Sequence, residues 1–172
     1  QATAQLRELN LTVSEEAFVT RAGRGDTKAI ELFLAAGLSP NSRNQDGFTP
    51  LIWAAGQGHV QIVQTLLENG AEINARSRDA TTALMAAASQ GHVGVIELLL
   101  NRGAAIEAQR ADGWTALIWS AAGGQNSSVS ILIARGASIE ARDARGNTAL
   151  MYASANLNDE NPNGETLPVV ET

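Results

Sequence analysis

Two histidines, His59 and His92, and a scatter of carboxylates are the natural candidates for proton transfer or metal binding in this 172-residue sequence. Cysteine is absent, which excludes a thiolate metal site, a disulfide framework and a cysteine nucleophile. His59 and His92 stand 33 residues apart in the same local setting, Gly-His-Val. A residue that recurs with a period serves the period, so both point to a structural task rather than to catalysis or metal ligation. Asp46, Asp79 and Asp112 keep the same interval and read as turn residues, while Asp159 and Glu160 fall in a stretch rich in Asn, Gly and Pro that suits an exposed loop. Neither set converges as acid–base work requires. No Gly-x-Ser-x-Gly elbow, no Gly-Lys-Ser/Thr phosphate loop and no His-Glu-x-x-His pair occurs. The sequence therefore predicts no catalytic residue, no metal and no cofactor, and the chain does not read as an enzyme.

The elements that would position these side chains follow the same interval. Gly47-Phe48-Thr49-Pro50-Leu51-Ile52-Trp53-Ala54-Ala55 returns 33 residues on as Ala80 to Ala88, again as Gly113 to Ala121, and begins once more at Gly146. A period of this length signals a stack of supersecondary units. Thr49, Thr82, Thr115 and Thr148 precede helix-forming runs, where a hydroxyl can accept from the free N–H groups of a first turn, and Pro50 sits at the tolerated first helical position. Small residues dominate these first helices, which allows close packing. In the second helices Ile62, Val63, Leu66 and Leu67 form an apolar stripe, and each such side chain contributes about 1.5–3 kcal/mol when fully buried. Gly37, Gly70, Gly103 and Gly136 stand just past the second helices, where a left-handed residue ends a helix cheaply. Asp46-Gly47 and Asp112-Gly113 turn the linker between units. A degenerate first copy, through Phe18, Ala22, Gly25, Ile30, Phe33, Leu34, Gly37 and Asn41, falls in the same register.

Thr-Pro-Leu-x-x-Ala-Ala-x-x-Gly-His, the paired apolar residues of the second helix and Gly-Ala-x-Ile-x-Ala resemble the ankyrin repeat family over about residues 14–155. The resemblance implies an all-α, ankyrin-like solenoid of helix-turn-helix repeats with short hairpin loops, whose fingers project beside a concave palm of first helices. It also implies that the Gly-His pair closes the turn between helices. Two departures stand out. The family histidine after Thr-Pro-Leu is replaced by Ile52, Met85, Ile118 and Met151, which exchanges a polar group for apolar packing, and Ala80 stands where the other turns carry glycine, which should raise local strain.

Residues 1–13 are expected to cap the first repeat through Leu6, Leu9, Leu11 and Val13, with Ser14 as N-cap of the helix that follows. The repeat domain then runs over 14–172, in units of about 14–46, 47–79, 80–112, 113–145 and a partial or loop-extended unit 146–172. Leu167 to Thr172 resembles Val60 to Thr65 at an offset of 107 rather than the 99 of three periods, so the excess reads as a loop from about Asn156 to Glu165. On that reading the sequence stops inside a second helix and is part of a longer array. It begins at Gln1 rather than Met, which reads as processing or truncation. The compartment stays open, with the cytoplasm leading and export or the periplasm as the alternative.

A net charge of −6 has the wrong sign for a phosphate-backbone binder, and no apolar run is long enough to cross a membrane. Nucleic acid and membrane insertion are thus set aside, and the chain is expected to be soluble and monomeric. The three tryptophans occupy only two positions of the period. Phe48, Thr81, Trp114 and Asn147 share the position before the capping threonine, where the aromatics are expected at the surface. Trp53, Trp119 and Tyr152 share one on the first helix, with Ala86 in the same row, and there partner contact and inter-repeat core remain open alternatives. By resemblance these rows hold the family's ligand-contacting positions, and Trp and Tyr are what interface hot spots are made of. Polar fingertip residues Gln45, Asp46, Arg78, Asp79, Asp112 and Arg145 would supply a rim. The expected function is a module that binds another protein or a peptide through its concave face and fingertips; the alternative is a targeting or inhibitory repeat segment of a larger enzyme or effector.

Overall fold

The computed structural model describes residues 2–8 and 11–159, with backbone only for Arg7 and residues 156–159. Among these residues there are ten helices and no strand: α1 Ala2–Glu8, α2 Glu15–Gly23, α3 Thr27–Ala35, α4 Pro50–Gly56, α5 Val60–Glu68, α6 Ala83–Gln90, α7 Val93–Asn101, α8 Ala116–Ala122, α9 Asn126–Ala134 and α10 Ala149–Asp159. First helices α2, α4, α6, α8 and α10 stack on one another in order, and second helices α3, α5, α7 and α9 form a parallel row behind them. The array is thus an all-α solenoid.

The local signals act as the sequence predicts. The hydroxyls of Thr49, Thr82 and Thr115 accept from the backbone N–H of Ile52, Met85 and Ile118 at 3.3, 3.4 and 3.3 Å, and Ser14 caps α2 from Ala17 N–H at 3.1 Å. Past α5, Gly70 adopts φ +86°, which lets Ala71 N–H reach back to Leu66 C=O at 2.9 Å and satisfy an orphan carbonyl. First helices pack more closely than second helices because alanines (Ala54, Ala55, Ala87, Ala88, Ala121) fill their contacts.

Between the rows lies one continuous core. Leu51, Ile52, Leu84, Met85, Leu117 and Ile118 meet Ile62, Val63, Leu66, Val95, Ile96, Leu99 and Leu132. At the N-terminal end Leu6 is fully buried and Leu11 nearly so, whereas Val13 is 43% exposed and Leu9 lies outside the described residues. The cap therefore rests on Leu6 and Leu11, with α1 against α3. Met151 is half exposed instead of packed like Ile52, Met85 and Ile118, because α10 packs on α8 with no described second helix beneath it. Helix α10 also continues through residues 156–159, where the sequence predicts a loop. The glycines at the ends of earlier first helices, Gly56 and Gly58 in one and Gly123 and Gly124 in another, are replaced in register by Ala155, Asn156 and Leu157, so no glycine interrupts the turn-by-turn hydrogen bonding.

The two histidines join neighbouring repeats. His59 Nε2 lies 3.0 Å from Gly23 C=O and His92 Nε2 3.1 Å from Gly56 C=O, so each ring donates to the carbonyl at the end of the preceding first helix. A Cβ at Gly58 would come within 2.6 Å of the His92 ring, which is why glycine precedes His59.

Candidate functional site

Each finger closes by the same bond: the N–H of Asn44, Ser77, Arg110 and Asp143 donates to the C=O of Phe48, Thr81, Trp114 and Asn147 at 2.9–3.0 Å. Consecutive fingers are stitched edge to edge, Arg78 N–H to Asp46 C=O, Ala111 N–H to Asp79 C=O and Ala144 N–H to Asp112 C=O, at 2.9–3.2 Å. The first residue of a finger is normally a short acceptor. Asn44 Oδ1 accepts from Asp46 and Phe48 N–H, Ser77 Oγ from Thr81 N–H, and Asp143 Oδ1 from Arg145 and Asn147 N–H.

Arg110 breaks this rule, since a guanidinium has no acceptor. Asp112 Oδ1 takes over the bond to Trp114 N–H at 3.2 Å, and the arginine is free to reach onto the first-helix face. There it binds Asp112 through Nε and Nη2, at 3.1 and 2.6 Å, and Asp79 through Nη1 at 3.2 Å, with its Cζ 5.1 Å from the centre of the Trp119 ring. Hydrogen bonds from Arg110 hold the Asp112 carboxyl below the ordinary carboxylate range. Burial opposes ionisation of Asp79, but hydrogen bonds from Ser77 and Thr81 and the Arg110 charge outweigh it, and its pKa also falls. Both carboxylates are therefore charged at neutral pH.

Beside this cluster lies a cleft of about 430 Å³ walled by Phe48, Trp53, Asp79, Arg110 and Trp119, with Ala86 and Gly56 at its floor. The cleft exists because the helix row reads Trp53, Ala86, Trp119: the methyl at the centre leaves a notch between two indoles. Phe48 folds onto Trp53 (centroids 5.7 Å) and Trp114 meets Trp119 edge-on (6.1 Å), so each fingertip aromatic braces the helix aromatic of its own repeat.

The structure distributes the sequence-predicted residues unevenly. Phe48, Trp53, Asp79, Thr81 and Trp119 line the cleft and Asp112 adjoins it through Arg110. Thr81 is only 3% exposed, so it forms wall rather than rim. Gln45, Asp46, Arg78 and Arg145 are exposed at the fingertips and none lines the cleft. Trp114, Tyr152 and Asn147 form a separate cluster: Trp114 packs 4.9 Å from Tyr152, whose hydroxyl donates to Asp143 Oδ2 at 2.6 Å, while Asn147 Nδ2 donates to that hydroxyl at 3.4 Å. The Tyr152 hydrogen bond is the leading reason that the Asp143 carboxyl also titrates below its ordinary value. Phe48 and Trp114 are half-buried against the core rather than surface-exposed, and Trp53 is the exposed member of the helix row at 39%. Sequence reasoning missed Arg110. The available signal was the column Asn44, Ser77, Arg110, Asp143, in which one member cannot accept a hydrogen bond. No group of three or more His, Cys, Asp or Glu side chains able to hold a metal occurs among the described residues, and no helix there is long and apolar enough to cross a membrane.

A family model of ankyrin repeats in three copies matches residues 18–110 and 102–163. No curated protein matches the chain.

Proposed function

The chain belongs to the ankyrin repeat family, whose repeats are generally protein–protein interaction modules and typically non-catalytic, and from that premise we propose that it binds a partner protein through the first-helix face, at the cleft over Ala86. One observation carries the choice of site: the notch between Trp53 and Trp119 sits beside the Arg110–Asp79–Asp112 cluster, so a concave apolar slot and oriented charges share one surface. Such pairing of aromatic anchors with a few fixed polar groups is how binding clefts gain both affinity and orientation. The fingertips Gln45, Asp46, Arg78 and Arg145 serve as an outer rim, and Trp114 and Tyr152 support the cleft from behind. The chain acts by shape and charge complementarity, as a monomer and without chemistry of its own.

Panning a random dodecapeptide phage library on the immobilised chain tests this. Selected peptides, resynthesised, should lose at least about tenfold in affinity, about 1.4 kcal/mol, when Ala86→Leu fills the notch. If every selected peptide binds a correctly folded Ala86→Leu variant as well as the parent, the cleft is not the binding site.

A further inference from the structure

The groups around the cleft select for charge. Trp53 presents exposed indole, and the face of an indole attracts a cation within about 6 Å of its centre. Trp119 already carries Arg110 over its ring, so the free aromatic surface belongs to Trp53. Asp79 and Asp112 share the single guanidinium of Arg110, which leaves the cluster with one net negative charge. Among the described residues that line the cleft, Arg110 is the only cation, and its charge is already matched by Asp112, bound bidentately through Nε and Nη2, and by Asp79, bound through Nη1. Gln57, Ser89 and Gln90 add neutral polar groups at the edge, and the chain as a whole carries a charge of −6. An acidic occupant would meet like charge. A wholly apolar one would strip water from the Asp79 carboxylate and return nothing, a cost that buried polar groups do not bear without a partner.

Building on the interaction role argued above, we propose that the cleft receives a cationic side chain, arginine or lysine, from an extended basic segment of the partner protein. Its charged group lies between the Trp53 face and the Asp79 carboxylate, and its methylene stem crosses Ala86. Long cationic side chains suit such a site because stem and head have opposite preferences, one for apolar floor and one for the charged wall.

The test uses two synthetic peptides, Ac-GSGRGSG-NH2 and its Arg→Glu counterpart, titrated into the 15N-labelled chain and followed by NMR. The three indole N–H signals, from Trp53, Trp114 and Trp119, are assigned with single Trp→Phe variants. The arginine peptide should shift the Trp53 signal saturably, and at least about tenfold more of the glutamate peptide should be needed for a comparable change. Asp79→Asn, which keeps the oxygen that accepts from Thr81, should weaken arginine-peptide binding at least about fivefold, and Ala86→Leu should abolish it. Raising NaCl from 50 to 500 mM should weaken it severalfold, as screening requires. Equal binding of the two peptides overturns the proposal, as does arginine-peptide binding that is unchanged in both variants. Should library-selected peptides depend on the Ala86 notch yet carry no basic residue, the cationic preference falls while the interaction role stands; should they bind regardless of Ala86→Leu, both fall.

Discussion

Replacing Ala80 by glycine should stabilise the protein, and the reason can be read from four equivalent turns. Ala80 adopts φ +65°, the only non-glycine with positive φ among the described residues, while Gly47, Gly113 and Gly146 occupy the same position at +78°, +83° and +84°. A left-handed backbone costs an L-residue about 1–2 kcal/mol. The extra freedom that glycine gives the unfolded chain offsets about 0.4–1 kcal/mol of that relief. The net gain is about 1 kcal/mol, equivalent to roughly 2–4 °C in Tm for a protein of this size. The reverse substitutions should grade by contact. A Cβ at Gly113 would lie 2.8 Å from Ala144 N and one at Gly47 3.1 Å from Arg78 N, both in the backbone of the next finger, whereas one at Gly146 meets nothing within 4 Å. Gly113→Ala should therefore cost most and Gly146→Ala least. Urea unfolding followed by circular dichroism measures all four variants. An unchanged or lower midpoint for Ala80→Gly, or equal losses for Gly113→Ala and Gly146→Ala, would refute the reasoning.

Ser128 is fully buried with no hydrogen-bond partner for its hydroxyl, at the register position held by Ile62 and Val95. Ser128→Val should raise stability by about 1–2 kcal/mol, and a thermal melt no higher than the parent's would show that the hydroxyl is accommodated. Trp114 is half-buried between Trp119 and Tyr152, so Trp114→Ala should cost about 3 kcal/mol, the lower end for aromatic truncation, whereas Trp53→Ala at an exposed site should cost less than about 1 kcal/mol; equal losses in chemical denaturation would contradict this division of labour. Asp79, Asp112 and Asp143 have folded pKa values below their unfolded ones, so the stability they contribute is complete above the ordinary carboxylate value of about 3.9 and is lost as pH falls through the depressed values. Melting temperature recorded from pH 7 down to 2.5 should fall along that acid limb, and Asp143→Asn should flatten it; an identical limb in the variant counts against the assignment.

The solenoid was legible in the sequence because its causes are local and repeated. A threonine before each first helix, a glycine after each second helix and a fixed spacing of apolar residues leave few alternatives, and the strain at Ala80 followed from comparison with its three glycine counterparts. The cleft was legible only in part. The row Trp53, Ala86, Trp119 marked the surface, but a notch is a property of side chains from three repeats brought into line, and no spacing rule reports depth. Arg110 sits in a turn slot, so its reach onto Trp119 depends on Asp112 assuming the turn bond, a substitution of roles between two side chains of the same finger. Thr81 shares a column with Phe48 and Trp114, yet its small side chain sinks to 3% exposure where the aromatics stay half-buried. Position in the period fixes where a side chain starts, and its size fixes where it ends.

The histidine links have a consequence for how the molecule comes apart. His59 ties the second repeat to the first and His92 the third to the second, while Gln125 stands in the corresponding slot of the fourth. In a linear array each unit feels only its neighbours, so the sequence of links behaves as a one-dimensional chain of coupling constants. Of these three junctions, the one that Gln125 serves has no imidazole link, and it lies next to the buried and unpartnered Ser128 of α9. Fraying should start at α10, which packs on α8 with no described second helix beneath it, and then advance through α8 and α9 to the Gln125 junction. The cleft draws its lining from α4, α6 and α8 and the fingers between them, so a fray past that junction removes Trp119 while leaving Trp53 in place. On the binding mode proposed above, a partner seated in the cleft would span that junction and hold the fray closed, so that its grip would be at once recognition and a clamp on the cooperativity of the stack.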